Sequence, residues 1–515
     1  MSAPGFRLVP WLLAAAAGVL HALSLAWPGT GQPLWWLQIL SIAFLAALLR
    51  NPGSWQRTSM LGWTYATASL VGTFWWLYIS MHVYGGLAAP LAAVAVLLLA
   101  GFLALYYAAA VALFARAASG SAWRDGALFA FLWMGAELLR GTLFTGFPWG
   151  AGGYAHVDGP LAPLAPWVGV YGISAAAAWL AYLASLLVQR PVRGSWRYWL
   201  AVGASAGLLA ACNVQAVAPG SPSSSGEKLT VALLQGNIPQ DEKFEGGTGI
   251  PIALDWYGRA LVESDAQLVV APETALPLLP HQLPEGYLER LRARFSQGDR
   301  AALVGVPLGS YEAGYTNSAL GWRAGTGEYR YDKHHLVPFG EFIPPLFKWF
   351  TRMMNIPLGD FNRGAVGQPS FAWAGQRLAP NICYEDLFGE ELGTRFEDPA
   401  AAPTIFVNLS NIAWFGNTVA IDQHLHISRM RALEFRRPMI RATNTGATAI
   451  IDRFGRVTHL LARHTRGVLV GEVEGGSGMT PFAHWVSRFG LWPLWLLAAG
   501  AAVAAWRHGR RRLQP

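Results

Sequence analysis

Eight long apolar runs constrain the fold of this chain more than any other feature of its sequence. Each has roughly the length of an α-helix that crosses the hydrocarbon core of a bilayer, which takes about 20 residues. Only 13% of the 515 residues are charged and 53% are hydrophobic, whereas about a quarter of an ordinary soluble protein is charged. We therefore predict membrane-spanning helices at 8–27, 34–50, 60–79, 88–115, 126–143, 161–188, 197–214 and 488–506.

Twelve arginines mark one side of these predicted spans, while the alternate short loops 28–33, 80–87 and 144–160 contain no Lys or Arg. Because basic residues are retained on the cytoplasmic side, we expect both termini in the cytoplasm and the long segment after the seventh span outside it. Without these arginines the chain holds more acidic than basic residues, so its net charge of +8 does not indicate nucleic-acid binding. The twelve are Arg7, Arg50, Arg57, Arg116, Arg124, Arg190, Arg193, Arg197, Arg507, Arg510, Arg511 and Arg512.

The segment between the seventh and eighth spans has the composition of a water-exposed α/β domain. Near-continuous apolar strands alternate there with amphipathic helices, which indicates a buried sheet covered by helices. We expect a seven-span bundle at 1–215, a linker at 216–227, the α/β domain at 228–475, a connector at 476–487, the eighth span at 488–506 and a basic tail at 507–515. Strands are predicted at 229–234, 268–271, 302–306, 318–322, 328–331, 377–382, 404–407, 440–442 and 448–451, and helices at 254–265 and 287–295.

Glu137 and Arg140 are ionisable residues inside the fifth predicted span. They are three positions apart, so they share one helix face and can neutralise each other. Ionisable groups inside a membrane are candidates for function, and a role in packing the bundle is the other interpretation.

Cys383 follows an apolar strand outside the predicted spans. Cys212, the other cysteine, lies at the end of the seventh predicted span and is interpreted as a small buried hydrophobic residue. Glu273 and Lys333 also follow strand-like runs. A thiol near its ordinary pKa is only a few per cent thiolate at neutral pH, so a nucleophilic cysteine needs a base or a nearby cation. A carboxylate can serve as the base, and a lysine can stabilise the thiolate and then an oxyanion. The three residues therefore predict covalent acyl chemistry.

Two other kinds of site are open for this segment. A cysteine–histidine dyad would use His424 or His426, which fall in a polar helical run, 422–437, that can equally well be a solvated helix face. A metal site would need clustered ligands, and His334–His335 and His424–His426 have no evident third partner. We therefore predict no metal and no cofactor.

Longer motifs surround these three residues, and together they resemble a known family. Pro272-Glu273, Tyr331-x-Lys333 and Cys383-Tyr384-Glu385 are similar to the Glu-Lys-Cys triad of the nitrilase superfamily. Further strings along the whole chain resemble the apolipoprotein N-acyltransferase family of that superfamily. They are Gln235-Gly236-Asn237-Ile238-Pro239-Gln240, Leu336-Val337-Pro338-Phe339-Gly340-Glu341, Asn408-x-Ser410-Asn411, Ala413-Trp414-Phe415-Gly416, Gln423-His424, Arg429-x-Arg431-Ala432-x-Glu434, Thr145-Gly146-Phe147-Pro148-Trp149 and Asp158-Gly159-Pro160.

The resemblance implies an αββα sandwich on a membrane bundle, with Glu273 as general base, Lys333 as stabiliser of the transition state and Cys383 as nucleophile. It implies supporting roles for Glu341, Tyr384 and Glu385, and substrate contacts for Trp414, Gln235 and Asn237. One departure is Ile412, where the family pattern leads us to expect Asp.

The implied reaction moves an acyl chain from a phospholipid to Cys383 as a thioester, and then to the α-amine of a diacylglyceryl-modified lipoprotein. The resemblance implies a monomer in the bacterial inner membrane with its catalytic domain in the periplasm. A membrane-tethered amidase that hydrolyses a soluble amide is the alternative. A membrane scaffold or transporter is a third possibility, but the spans lack the polar interruptions of a transport pathway.

An apolar, aromatic stretch at 343–358 follows the Glu341 motif directly. Trp349 and Phe350 lie at its centre, and we predict that they contact lipid substrate or form a membrane-contacting cover. A core-facing loop is the other interpretation of this stretch.

Overall fold

The computed structural model describes residues 8–50, 54–187, 198–200, 202–205, 207, 223–325, 327–343 and 360–511. The chain forms two compact units. The first consists of residues 1–75, 90–218 and 491–515, and the second of residues 76–89 and 219–490. Most of the predicted seventh span and linker, the 343–358 stretch after Ile343, and Cys212 lie outside the described residues.

The first unit is built from α-helices rich in Ala and Leu. They are α1 (Val9–Leu25), α2 (Trp35–Leu48), α3 (Trp55–Phe74), α4 (Ala89–Ala117), α5 (Ala122–Thr142), α6 (Ala165–Leu186) and, near the end of the chain, α10 (Trp492–Arg511). The third helix ends at Phe74, earlier than the predicted 60–79, because the chain joins the second unit from residue 76 onward.

Three helices among the described residues are long and apolar enough to cross a membrane, namely Ala89–Ala117, Ala122–Thr145 and Ala162–Leu186. Pro481–Phe489 and Trp492–Gly509 make a fourth candidate if the pair, bent by 81°, is one span. Val9–Leu25 and Trp35–Leu48 are apolar but shorter. The predicted number of eight spans therefore stays a prediction.

Glu137 and Arg140 are both buried in α5, and both hold the loop that follows this helix. Arg140 Nη1 donates to the carbonyl oxygens of Phe147 and Trp149 at 2.6 and 2.7 Å. Glu137 Oε1 accepts from the backbone N–H of Gly152 at 3.1 Å. These contacts favour the interpretation that the two residues pack and position the bundle.

The described residues of the second unit form two six-stranded sheets. In the first the strand order is β12-β1-β2-β3-β4-β5, and in the second it is β11-β10-β9-β8-β7-β6. The twelve strands are β1 (Ser224–Gln235), β2 (Leu268–Ala271), β3 (Ala301–Ser310), β4 (Gly314–Trp322), β5 (Tyr329–Asp332), β6 (Phe371–Trp373), β7 (Gln376–Ile382), β8 (Ile405–Ser410), β9 (Met439–Thr443), β10 (Ala449–Ile451), β11 (Val457–Leu460) and β12 (Gly467–Gly476).

Alternate residues of the central strands pack in two different hydrophobic cores, one between the two sheets and one beneath the outer helices. Val231 of β1 and Val270 of β2 belong to a cluster that also contains Leu378 and Val407 of the other sheet, so this cluster fills the space between the sheets. Their neighbours in sequence, such as Val269, pack instead with α7 (Gly249–Glu263) and α8 (Tyr287–Phe295) on the outside. Because successive side chains of a strand point to opposite faces, apolar residues at every position give a sheet that is buried on both faces. The predicted αββα sandwich is confirmed.

The helix α9 (Ala420–Phe435) corrects one expectation. The polar run 422–437 was interpreted as a possible solvated face, but the residues from Gln423 to Phe435 are all buried. Its charged side chains find internal partners, as Arg431 does with Glu434 at 3.0 Å. Charged residues can be buried when they are paired and hydrogen-bonded, so polarity alone did not indicate exposure.

Residues 76–89 leave the helical unit and pack within the α/β unit. Trp76 is buried, its ring centroid lies 4.2 Å from that of Phe415, and its indole N–H donates to Gln423 Oε1 at 3.1 Å. Tyr84 contacts Trp414 edge to face. The segment 76–89 is therefore part of the α/β unit, although its two ends were predicted to belong to the spans 60–79 and 88–115.

Candidate active site

Glu273, Lys333 and Cys383 each follow the last residue of a strand. Glu273 comes two residues after β2, Lys333 directly after β5 and Cys383 directly after β7. The strand β2 is apolar and buried, whereas β5 is a partly exposed hairpin strand, and in both the polar side chain follows where the strand ends and the chain turns. The structure gathers these ends into one buried, charged cluster.

Lys333 is the centre of this cluster and is almost completely buried. Its Nζ lies 2.9 Å from Glu341 Oε1 and 3.3 Å from Glu273 Oε1. The Asn317 side-chain amide bridges the same two carboxylates, at 2.7 Å from Glu273 and 2.8 Å from Glu341. The second oxygen of Glu273 accepts from the backbone N–H of Asn411 at 2.9 Å. Every oxygen of the predicted base therefore faces a donor, which fixes its orientation.

Cys383 occupies a turn in which its own φ is +52°, a left-handed conformation that L-residues rarely adopt. A short 3₁₀ helix, Cys383–Leu387, begins there. Glu385 fastens this turn, since its carboxylate accepts from the N–H of Ile382 at 2.6 Å and from the Tyr331 hydroxyl at 2.8 Å. Its other oxygen accepts from the N–H of His334 at 2.7 Å. Glu385 thus joins the strand end that carries Lys333 to the one that carries Cys383.

Burial and the charges of the neighbouring groups set the protonation states of Cys383, Glu273 and Lys333. Burial raises the pKa of the Cys383 thiol to about 12, and the negative charge of Glu273 adds to the rise while Lys333 opposes it. Burial also works against the charge of Glu273, but the ammonium of Lys333 and the amide of Asn317 hold the pKa of this carboxyl below its ordinary value. The pKa of Lys333 lies above its ordinary value because the attraction of Glu273 and Glu341 outweighs its burial. At neutral pH the cluster therefore holds a thiol, a carboxylate and an ammonium group.

Comparisons with known proteins extend over nearly the whole chain. The family model of the apolipoprotein N-acyltransferase N-terminal domain matches residues 17–183, and that of carbon-nitrogen hydrolases matches residues 230–478. An apolipoprotein N-acyltransferase of Verminephrobacter eiseniae is 62% identical over 94% of this chain and 93% of that protein. One of Ralstonia nicotianae is 47% identical over 97% of this chain and 93% of that protein.

The chain belongs to the apolipoprotein N-acyltransferase family. It is accordingly an acyltransferase and an integral membrane protein. A crystal structure of a carbon-nitrogen hydrolase from Helicobacter pylori is also similar, with 16% identity, a TM-score of 0.34, and coverage of 52% of this chain and 94% of that one.

The structure of this acyltransferase adds residues to the site that the sequence did not single out. Lys243 is buried, its Nζ donates to the backbone carbonyl of Glu273 at 3.1 Å, and burial lowers its pKa to about 8. The side chain of Asn317 bonds the carboxylate of Glu273 directly, as does the backbone N–H of Asn411, which belongs to the motif Asn408-x-Ser410-Asn411. A polar residue within a strand, such as Asn317 between Thr316 and Ser318 in β4, was the available signal, but only the fold shows what it faces.

The remaining predicted residues of this acyltransferase occupy different surroundings. Tyr384 is buried against His335 and Phe388, next to the nucleophile, and Trp414 packs against Tyr84 with part of its surface exposed. Ile412, the departure from the family pattern, is buried. Trp349 and Phe350 lie outside the described residues.

Gln235 and Asn237 hold a loop of the same domain. Gln235 Nε2 donates to the carbonyl oxygens of Ala462 and Thr465, both at 2.8 Å, and Asn237 Nδ2 donates to that of His464 at 3.1 Å. Their predicted contact with substrate stays a prediction.

Proposed function

We propose that this acyltransferase moves a fatty acyl chain from a membrane phospholipid to Cys383, and from there to the N-terminal α-amine of a lipoprotein that carries diacylglyceryl-cysteine. The observation that carries the proposal is the buried Glu273–Lys333–Glu341 cluster at the strand ends beside Cys383, in a chain of this family. The proposed acyl donor and the proposed acceptor are both amphiphiles, which is consistent with an active domain attached to membrane helices.

In the first half-reaction, the sulfur of Cys383 attacks the ester carbonyl of the donor while Glu273 takes the thiol proton. Assistance by a base is needed because the pKa of this half-buried thiol, about 12, leaves little thiolate at neutral pH. Lys333 and backbone N–H groups stabilise the oxyanion. The C–O bond then breaks, Glu273 returns the proton to the leaving oxygen, and a lysophospholipid departs from the thioester.

In the second half-reaction, the α-amine of the lipoprotein attacks the thioester carbonyl. Glu273 accepts the amine proton, the C–S bond breaks, and the proton returns to the sulfur of Cys383. An amide is more stable than a thioester, so this half-reaction runs downhill. A thioester also reacts more readily with an amine than with water, which favours transfer over hydrolysis.

Glu341, Glu385 and Tyr384 support this chemistry in the proposed scheme. Glu341 and Asn317 hold Lys333 and Glu273 together, so that the ammonium group stays beside the base. Glu385 holds the nucleophile's turn against the segment that carries Lys333. Tyr384 and Trp414 are proposed to line the path of the substrate, together with Trp349 and Phe350 of the predicted cover.

For the arrangement in the cell, we propose a monomer of the bacterial inner membrane with both termini in the cytoplasm and the catalytic domain, 228–475, in the periplasm. The one-sided arginines support this orientation. The amidase alternative would need an active domain that works on soluble amides without lipid.

The decisive experiment is mass spectrometry of the purified protein after incubation with phospholipid and no acceptor. We expect Cys383 to gain the mass of one acyl chain, and hydroxylamine to remove it. Cys383→Ala should abolish the adduct, and Cys383→Ser should retain little activity because an alcohol is much less acidic than a thiol. Release of ammonia from a small soluble amide, with no acyl adduct from phospholipid, would favour the amidase instead.

A further inference from the structure

Next to Cys383 lies a buried polar cluster that the proposed scheme does not use. It consists of Asp386, His424, Ser428 and Arg441, all of which are completely inaccessible to solvent. His424 Nε2 lies 2.9 Å from Asp386 Oδ1, the Ser428 hydroxyl donates to Asp386 Oδ2, and Arg441 Nη1 donates to the carbonyl oxygen of His424 at 2.9 Å. The three segments that carry these residues are the nucleophile's turn, α9 and β9.

Arg441 determines which ring nitrogen of His424 carries the proton. Its Nη2 lies 3.1 Å from His424 Nδ1. A guanidinium group has only donors, so Nδ1 must accept and cannot carry hydrogen. The hydrogen of the neutral ring is therefore on Nε2, and Asp386 and Arg441 already balance each other's charge at 3.5 Å.

The Nε2–H of His424 faces the backbone of the nucleophile. Its second acceptor is the carbonyl oxygen of Cys383, at 3.2 Å. The side-chain amide of Asn408 donates to the same oxygen, also at 3.2 Å. Two donors thus hold the peptide unit that joins Cys383 to Tyr384, at the residue whose φ is +52°. A trans peptide is planar, so the direction of this carbonyl also sets the opposite direction of the Tyr384 N–H.

We infer that His424 is a positioning residue whose Nε2–H, oriented by Arg441 and Asp386, fixes the peptide after Cys383 and with it the direction of the thiol. The inference rests on the proposed function of Cys383 as the nucleophile. His424 acts as a neutral hydrogen-bond donor and not as a base: its ring faces the carbonyl oxygen of Cys383 and leaves proton transfer to Glu273. This bond adds to those of Asn408 and Glu385 in keeping the left-handed turn in place, since nothing in the conformational preference of cysteine favours it.

Two substitutions of His424 separate a donor from a base. His424→Gln can present an amide N–H near the position of Nε2, whereas His424→Leu fills a similar volume without a donor. In single-turnover acylation with phospholipid vesicles, we expect His424→Leu to react about 10²-fold more slowly per folded molecule, because a small misplacement of a nucleophile has a cost of this size. The KM for phospholipid should be unchanged, since the binding of the acyl chain is not altered. His424→Gln should recover most of the rate.

His426 provides the matched control on the same helix. It is buried like His424, and its Nδ1 lies 3.3 Å from Arg429 Nη1. His426→Leu should lower the midpoint of thermal unfolding as a buried substitution does, but its acylation rate per folded molecule should equal that of the wild type. The folded fraction of every variant is taken from its thermal unfolding curve.

Each outcome bears on the inference separately from the proposed function. If His424→Leu acylates at the wild-type rate per folded molecule, the inference is wrong. It is also wrong if His424→Gln is as slow as His424→Leu, because that result is expected when His424 acts as a base and not as a hydrogen-bond donor. If the wild type forms no thioester from phospholipid, the proposed function fails, and the same variants are compared by the rate at which iodoacetamide alkylates Cys383. Slower alkylation in His424→Leu with recovery in His424→Gln would still support the positioning role, and equal rates would overturn it.

Discussion

Replacing Glu273 by glutamine should slow acyl transfer and at the same time make the Cys383 thiol more acidic. The substitution keeps the shape of the side chain but removes its charge and its basicity. One carboxylate oxygen becomes an NH₂ group, which must then face either Lys333 and Asn317 or the N–H of Asn411. A donor therefore opposes a donor at one end of the side chain, whichever way the amide turns.

The two effects have different origins and opposite signs. Loss of the general base should reduce the rate of acyl-enzyme formation by about 10²–10⁴-fold. The negative charge of Glu273 is, after burial, the largest contribution that raises the pKa of Cys383 to about 12. Without that charge the thiolate is less disfavoured, so the pKa of Cys383 should fall. Lys333→Met removes a cation that lowers this pKa and should shift it upward.

The assay combines two measurements on the same preparations. Single-turnover acylation from phospholipid vesicles, followed by mass spectrometry of Cys383, gives the catalytic rate. The pH dependence of alkylation by iodoacetamide gives the ionisation of the thiol, which should begin at lower pH in Glu273→Gln and at higher pH in Lys333→Met. Glu472→Gln is the matched control, because Glu472 is exposed and pairs with Lys228 at the surface; both measurements should match the wild type.

An acylation rate in Glu273→Gln equal to the wild type would remove Glu273 from the mechanism. A thiol whose ionisation does not move, or moves upward, would show that Glu273 and Cys383 do not interact as the structure indicates. A parallel loss of acylation and alkylation in the Glu472→Gln control would mean that the preparations differ in folding and not in chemistry.

Lys333→Ala should lower acyl-enzyme formation by about 10²–10³-fold through the loss of an oxyanion donor. Lys333→Arg should not restore the rate fully, because a planar guanidinium does not replace a compact ammonium. Burst kinetics measure both variants, and a normal burst in Lys333→Ala would contradict the role of Lys333. A reporter fused after Pro515 should be cytoplasmic and one inserted at Ser223 periplasmic, and finding both in one compartment would refute the proposed topology. Replacing Trp349 and Phe350 by serine should impair acylation from bilayers while alkylation of Cys383 by a soluble reagent continues; unchanged acylation would mean that 343–358 is an ordinary loop.

Cys383 and Glu273 could be predicted from the sequence because they follow buried, mostly apolar strands, and Lys333 because it follows a strand of a predicted hairpin. In such runs the strand ends are where polar residues first appear, and β2 matches its predicted bounds, Leu268–Ala271. The helix Tyr287–Phe295 was also predicted with its observed bounds, since it has a clear amphipathic period. Strands β6, β11 and β12 were not predicted. β6 has three residues, β11 is largely exposed, and β12 mixes exposed, half-buried and buried residues, so none is a continuous buried run like the central strands.

The surroundings of the three residues were decided only by the tertiary structure. Asn317 and Lys243 meet Glu273 from segments that are far apart in the chain, and Asp386 of the nucleophile's turn meets His424 of α9 in the same way; no local pattern encodes which polar side chains will face one another. The burial of α9 shows the same limit, because its polar residues resemble those of a solvated helix until their partners in β9 and the nucleophile's turn are known. Local sequence patterns therefore determined the central strands of the α/β domain and the strand ends that carry the chemistry. The packing of those elements decided the hydrogen bonds and charges, because these depend on distances between residues that the sequence separates.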